Sequence, residues 1–257
     1  MVSEGGPGTC RLVSHVTKLP STRDAYDRWH ACLDDGADAA DPWHELVREH
    51  LDLVRDVEGR SVLEIGCGRG GFACWLASSP TPPRRLVAID WSPVAIQKAC
   101  AHAAALDITG VRWEVGDIQA IGHRDAEFDT VVSCETIEHV PDPRRAVAEL
   151  ARVLKPGGRL FLTTPNYLGP IGTYRAYLRL LGRRFTEVGQ PINHFTLLPR
   201  TIYWVRRARL RIERIAAKGH YLPWPGHPPR RLATLDHVLP GTLKWMALHS
   251  LVVARRP

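Results

Sequence analysis

Ten residues, Val62-Leu-Glu-Ile-Gly-Cys-Gly-Arg-Gly-Gly71, constrain the fold more than any other part of the chain. A short apolar run ends in Gly66-x-Gly68-x-Gly70, and a helical pattern starts at once. Glycines at such a junction let the backbone turn sharply and approach a ligand with no Cβ in the way. The same rhythm continues downstream. Residues 61–65, 85–89, 111–115, 130–134 and 159–163 read as short apolar strands, and residues 71–78, 93–105 and 143–154 as the helices between them. Strands alternating with helices imply βαβ units, hence a doubly wound α/β fold with a mostly parallel sheet covered on both faces. Such sheets take ligands beyond the carboxyl ends of their strands.

The rest of the chain is organised around that core. Residues 1–20 carry no periodicity and read as a disordered tail, and residues 21–257 as a single domain, a length that supports one buried core. Within it, 21–58 supplies two N-terminal helices. The first covers residues 23–33. The second opens with Asp41 as N-cap and Pro42 in the first turn, followed by Trp43, Leu46, Val47, Leu51 and Val54 near helical spacing. Residues 59–165 form the core. Residues 166–200 break the rhythm and insert a helical lid, its helix at 172–181. Residues 201–257 return to the core pattern with a helix at 200–208, a strand at 211–216, a proline-rich loop at 223–229 and a last strand at 249–254.

Composition narrows the setting. No apolar run approaches the ~20 residues that span a bilayer, and the first residues lack the basic and apolar regions of a signal peptide. Cys10, Cys32, Cys67, Cys74, Cys100 and Cys134 include no Cys-x-x-Cys pair, so a reducing cytoplasm is expected. Charge is uneven. Residues 1–170 hold 18 Lys and Arg against 24 Asp and Glu, and residues 171–257 hold 16 against 3. A basic C-terminal third suits an anionic substrate, a membrane surface or RNA, or is simply a solvated surface.

Strand ends supply the ligand chemistry. Asp90 closes the second strand, where a carboxylate can accept from both hydroxyls of a ribose, and Trp91 follows it. In Gly116-Asp-Ile118, Asp117 can accept from an adenine amino group while Ile118 packs on the ring. Glu64 in the first loop suits a cation better than a phosphate. Together with Val153-Leu-Lys-Pro-Gly-Gly158 and a terminal strand, these motifs resemble class I S-adenosylmethionine-dependent methyltransferases, most closely the ubiquinone-biosynthesis O-methyltransferase type. The resemblance covers roughly residues 60–165. It implies a Rossmann-like, seven-stranded sheet with a reversed last strand. It implies S-adenosyl-L-methionine as methyl donor, held by Glu64, Gly66, Cys67, Gly68, Gly70, Asp90, Trp91, Asp117, Ile118 and Cys134, with backbone contacts from Cys67 and Cys134.

Methyl transfer to oxygen needs a proton removed, and Cys134-Glu-Thr-Ile-Glu-His-Val140 lies where the methyl group would be. His139, with an unperturbed pKa near ~6.5, is a natural general base, oriented by Glu135 or Glu138. The same residues with His194 also resemble the magnesium site of small-RNA 2′-O-methyltransferases, and an isolated structural role is a third reading. The acceptor is set by the insertions. Tyr26 and Trp29 either fold over the cofactor or serve plain helix packing. Tyr174, Tyr177, Leu178 and Leu181 share a stripe flanked by Arg175, Arg179, Arg183 and Arg184, either a grip for an anionic or lipid-linked acceptor or a packed lid. The polar run 186–194 can line the acceptor pocket. The expected function is O-methylation of a hydroxylated small molecule such as a quinone precursor, sugar or natural product. A metal-dependent RNA methyltransferase is the alternative, although no recognisable RNA-binding module is present. A non-catalytic cofactor-fold subunit is a third, opposed by the intact glycines, Asp90 and Asp117.

Overall fold

Every residue of β1 (Ser61–Ile65) is buried, which fixes it as the centre of the sheet. The computed structural model describes residues 22–33, 39–183, 191–224, 227–238 and 243–257; the tail expected at 1–20, Arg184 and most of the polar run 186–194 lie outside the described residues. On one side β1 pairs in parallel with β2 (Arg85–Asp90), and β2 with β3 (Val111–Val115). On the other it pairs with β4 (Phe128–Ser133), and β4 with β5 (Leu154–Pro165). Two further strands complete seven: β6 (Arg211–Lys218) and, counting a small hairpin of β7 (Tyr221–Trp224) and β8 (His227–Arg231), β9 (His249–Arg255). The order is β3-β2-β1-β4-β5-β9-β6. β9 runs antiparallel to both of its neighbours, as the resemblance implies for the last strand.

Side-chain alternation builds two cores from this one sheet. Leu63, Ile65, Val87, Ile89, Val131, Leu160, Leu162 and Val252 face α5 (Pro143–Val153) and α7 (Leu198–Arg207). Val62, Leu86, Ala88, Val132, Phe161, Leu251 and Val253 face α2 (Pro42–Arg48) and α3 (Gly71–Ala77). α1 (Thr22–Ala31) packs on α4 (Pro93–Ala105). Both long core helices begin with proline behind a capping side chain. Ser92 accepts from Ala95 N in α4, and Asp142 from Arg145 N in α5. α6 (Pro170–Leu180) is the inserted helix, and α8 (Ala233–Val238) follows the hairpin. No described helix is long and apolar enough to cross a membrane.

Four local expectations need correction. The second N-terminal helix stops at Arg48, and the chain re-forms as a π-turn over Leu53–Val57, so Val54 is exposed rather than part of an apolar face. Asp52 causes the break, its Oδ1 accepting from Val54 N and Arg55 N to start a new element. Asp41 precedes α2 but makes no side-chain cap bond. The proline-rich 223–229 is not a loop: most of it lies in the β7–β8 hairpin, whose isolated two-stranded ladder tolerates the missing proline N–H groups. The strand expected to start at 159 starts at Leu154: the Leu-Lys-Pro-Gly-Gly run belongs to β5, as an irregularity where the β4–β5 register jumps between Phe128↔Leu154 and Thr130↔Arg159. There Gly157 N donates to Arg256 O and Arg256 N to Gly158 O, fastening the end of the chain to the sheet.

A buried ion pair joins the π-turn to the sheet. Asp56 Oδ2 accepts from Arg159 Nη1 at 2.6 Å and from Asp52 N at 3.0 Å, while Asp56 O accepts from Thr130 Oγ1 at 2.6 Å. Arg159 keeps a second, more exposed partner in Glu213. Asp56→Ala removes the buried acceptor of Arg159, Arg55 and Asp52 N and leaves Arg159 the more exposed Glu213. It is expected to cost roughly 3 kcal/mol in urea unfolding, and Glu213→Ala under about 1 kcal/mol. Equal, small losses in both would show that solvent screens the Asp56 pair.

Candidate active site

The strand ends and the pieces wrapped over them enclose a cavity of about 1090 Å³. Its first wall is the turn after β1. Gly66 N and Cys67 N both donate to Ile89 O, drawing the loop against β2. A Cβ on Gly66 would sit 2.1 Å from Thr136 Oγ1, so only glycine lets the loops after β1 and β4 meet. Gly68 has φ +52 and open space where a Cβ would point. It is a cavity-lining residue, and the missing side chain leaves its backbone bare to a ligand.

Asp90 carries the second wall. Its Oδ2 accepts from Gly68 N and its Oδ1 from Ser92 N, both at 2.9 Å. Ser92 Oγ in turn donates to Asp27 of α1 in a short bond. Arg23 donates to Trp91 O at 3.0 Å and lies over the Trp91 ring. Asp117 Oδ1 accepts from Gln119 N at 2.8 Å, a side-chain turn that sets the loop after β3, with Ile118 beside it in the wall.

The roof is sewn from three segments. Tyr26 Oη donates to His139 O at 3.1 Å and lies 3.3 Å from Ile192 O. His139 Nδ1 donates to the same Ile192 O at 2.7 Å. His194 N donates to Glu138 O, and His194 Nε2 to Val140 O at 2.8 Å. Burial pushes the Tyr26 hydroxyl pKa far above its usual value, so it stays a donor.

Of the residues expected from sequence, the cavity wall contains Tyr26, Trp29, Gly66, Cys67, Gly68, Asp90, Trp91, Asp117, Ile118, Cys134, Glu135 and His139. Glu64, Gly70, Glu138, Tyr174 and His194 are not in it. Glu64 shares the β1 face that packs under α3, where Oε2 has no hydrogen-bond partner among the described residues. Burial, aided by the Asp90 charge, raises its pKa to about 8. Gly70 starts α3 against Trp113 and Ala99. Glu138 is fully buried, with Oε2 accepting from Thr164 Oγ1 and Oε1 3.5 Å from His139 Nε2. Tyr174 stacks on Tyr177 along α6, and Tyr177, Leu180 and Leu181 are exposed. The four residues of the suggested magnesium site turn to different protein partners, and among the described residues no group of three metal-ligating side chains forms.

Sequence reading missed His249, Tyr221, His44 and His30, all in the wall. For His249 a signal existed. A reversed last strand starts, rather than ends, at the carboxyl edge of its parallel neighbours, and His249 is the first residue of β9, opposite Pro165.

His139 has a consequence for stability. Burial lowers its pKa to about 4, despite the Ile192 bond that favours the charged form. Between about 4 and the unfolded value near ~6.5 the unfolded chain binds more protons, so stability must fall as pH drops through that window. Replacing His139 by Asn is expected to flatten the loss between pH 6.5 and 4 in thermal melts. An unchanged slope would place the acid sensitivity elsewhere.

Comparison with known proteins follows the same lines. Residues 63–162 match the family model described as a methyltransferase domain. A ubiquinone biosynthesis O-methyltransferase of Xanthomonas oryzae pv. oryzae is 30% identical over 220 residues, 82% of this chain and 86% of that protein. An uncharacterized 37.1 kDa protein in transposon TN4556 of Streptomyces fradiae is 33% identical over 130 residues, 51% of this chain and 36% of that protein. Among solved structures, the methyltransferase complexed with the Haloferax volcanii Trm112 activator superposes with a TM-score of 0.64 at 21% identity, covering 92% of this chain and 98% of that one. A SAM-dependent methyltransferase from Thermotoga maritima gives 0.58 at 17% identity, with 92% and 100% covered. Strand order, glycine turn and relatives agree: the chain belongs to the S-adenosylmethionine-dependent methyltransferases and is an enzyme of the Rossmann-like methyltransferase fold.

Proposed function

We propose that the chain methylates an oxygen of a hydroxylated small molecule bound beside the donor in this cavity. The observation that carries this reading is size together with lining. A single small ligand usually fills ~300–1,000 Å³, and this cavity of about 1090 Å³ has two ends of different character. The sheet order separates the lining residues: Gly68, Asp90, Trp91, Asp117 and Ile118 lie at the ends of β1, β2 and β3, whereas Glu135, Pro165, Leu248 and His249 lie at the edges of β4, β5 and β9, with Trp43 and Tyr221 against His249. Ribose-accepting carboxylates and an apolar adenine shelf suit S-adenosylmethionine at the first end. Flat apolar walls with a carboxylate suit an aromatic or quinone-like hydroxyl compound at the second. The names of the O-methyltransferase relatives support the same acceptor class.

The bound donor supplies an activated methyl group on a sulfonium. The chain's residues do the remainder. Asp90 and the bare Gly68 backbone hold the donor, Asp117 and Ile118 seat its base, and Cys67 and Cys134 contribute backbone groups. Tyr26, His139 and Ile192 close the roof and keep out water, which strengthens every polar contact inside. Alignment of two bound reactants contributes most of the rate in such a displacement. His139, as a buried neutral ring tied to Ile192, and Glu138 behind it act by positioning the roof. Glu64 adds a buried carboxyl beneath the donor loop.

Two measurements test this reading. In calorimetry, Asp90→Ala is expected to weaken S-adenosylmethionine by about 10–100-fold, the worth of a hydrogen bond to a charged group, and Gly68→Val to weaken it as well, because a branched side chain at φ +52 strains the turn and fills the space beside the backbone. Unchanged affinity in both would move the donor elsewhere. Product mass spectrometry and NMR on a panel of catechols, sugars, lipid-linked phenols and amines, each with and without EDTA, is expected to show an O-methyl product that survives chelation. Methylation of nitrogen or carbon alone would overturn the oxygen acceptor. Loss in EDTA with recovery in magnesium would bring back the metal-dependent reading.

A further inference from the structure

We propose that His249, oriented by Glu135, is the base that takes the proton from the acceptor hydroxyl; this rests on the oxygen-acceptor reading above. The two residues lie 114 positions apart in sequence and meet in the cavity wall, with His249 Nδ1 3.3 Å from Glu135 Oε2. A distance slightly long for a hydrogen bond is common in a site whose reactants are not bound.

Both partners are held from behind. Glu135 is a non-glycine residue at φ +44. Its N donates to Thr163 Oγ1 at 3.1 Å and to Thr163 O at 3.3 Å, which fixes this sparsely populated conformation directly after β4. Backbone strain kept in place by surrounding bonds collects at sites that work. His249 is anchored by the β9 ladder, between Pro165 of β5 and Lys218 of β6. Its ring lies against Trp43, with centroids 5.2 Å apart, and against the edge of Tyr221 at 6.1 Å. Gly219, at φ +84, leaves the ring its space, because a Cβ there would come within 2.9 Å of His249 Cδ2.

The arrangement sets the tautomer. A carboxylate beside Nδ1 keeps the proton on that nitrogen and puts the basic lone pair on Nε2. His139 is the contrasting case: its pKa is held down to about 4 and its Nδ1 serves the roof. In the proposed step the acceptor O–H proton passes to His249 Nε2. The electron pair of that O–H bond becomes available for the new O–CH₃ bond. The pair of the broken C–S bond returns to sulfur, leaving a neutral thioether. One positive charge thus moves from the sulfonium to the imidazolium beside Glu135, and the proton leaves to water afterwards.

The test uses the full chain with catechol and the more acidic 4-nitrocatechol. His249→Gln and His249→Ala are expected to lower kcat for catechol by the ~10²–10⁴-fold of a lost general base. The loss should be far smaller for 4-nitrocatechol, whose oxygen ionises without help. S-adenosylmethionine affinity should stay within a few-fold, which separates lost chemistry from a damaged fold. Glu135→Gln should reproduce the pattern more weakly, with partial recovery in Glu135→Asp. A second readout needs no turnover. With no S-adenosylmethionine present, at a pH where free 4-nitrocatechol is protonated, binding to the unaltered protein should raise the visible phenolate band, and binding to the His249 variants should not. Equal losses for the two phenols, no loss at all, or a phenolate band that rises as much in the His249 variants as in the unaltered protein overturns the base and leaves the oxygen-acceptor reading standing. Absence of methyl transfer to any panel hydroxyl by the unaltered protein overturns that reading, and the base with it.

Discussion

The Asp90 carboxylate is the junction on which the site depends. It stands at the end of β2 and accepts from Gly68 N on one side and Ser92 N on the other. The glycine turn after β1 therefore has its shape fixed by a side chain from the neighbouring strand. Through Ser92 the same chain of bonds reaches Asp27 and brings α1 over the cavity. A charged acceptor makes hydrogen bonds roughly twice as strong as a neutral one, which suits a loop that glycine would otherwise leave loose. Any ligand reading Asp90 meets a group already oriented by its own backbone.

Around that junction the protein sets low charge against a charged sequence. Burial drives Glu64 towards its protonated form and His139 towards its neutral one. Two residues that look ionic in the sequence thus behave as polar but largely uncharged packing at neutral pH. Among the described residues the carboxylates of the cavity wall are Asp90, Asp117 and Glu135, at or just beyond strand ends, and Asp41, ahead of α2. The basic surplus of the C-terminal third is largely kept off this wall. Arg175, for example, lies over Tyr167 and Phe195 and bonds to Asn193.

Much of the fold was legible because its signals are local. The residues 93–105 expected to be helical are those of α4, since Ser92 and Pro93 mark its start and alanines fill it. The glycine turn, Asp90 and Asp117 could be placed because each follows directly on a strand, and strand ends are where such sheets bind. The π-turn at Leu53–Val57 was hidden because apolar residues continued at helical spacing and outweighed the local Asp52 cap, while the Asp56–Arg159 pair that holds the turn depends on a partner 103 residues away. The Pro-rich hairpin was hidden by the proline rule itself, which holds for central strands and relaxes in a two-stranded ladder.

Sequence by itself determined the class of fold, the family and the strand-end residues Gly68, Asp90, Asp117 and Ile118 that line the cavity, because alternation of strand and helix, glycines at a turn and a carboxylate at a strand end are properties of neighbouring residues. Tertiary structure decided which titratable groups face the cavity. Alternation along β1 sends Glu64 under α3, a bond to Ile192 turns His139 into part of the roof, and the reversal of β9 brings His249 to Glu135. Each of these is set by which strand lies beside which and in what direction, and burial then fixes the charge state, so no window of sequence carries it.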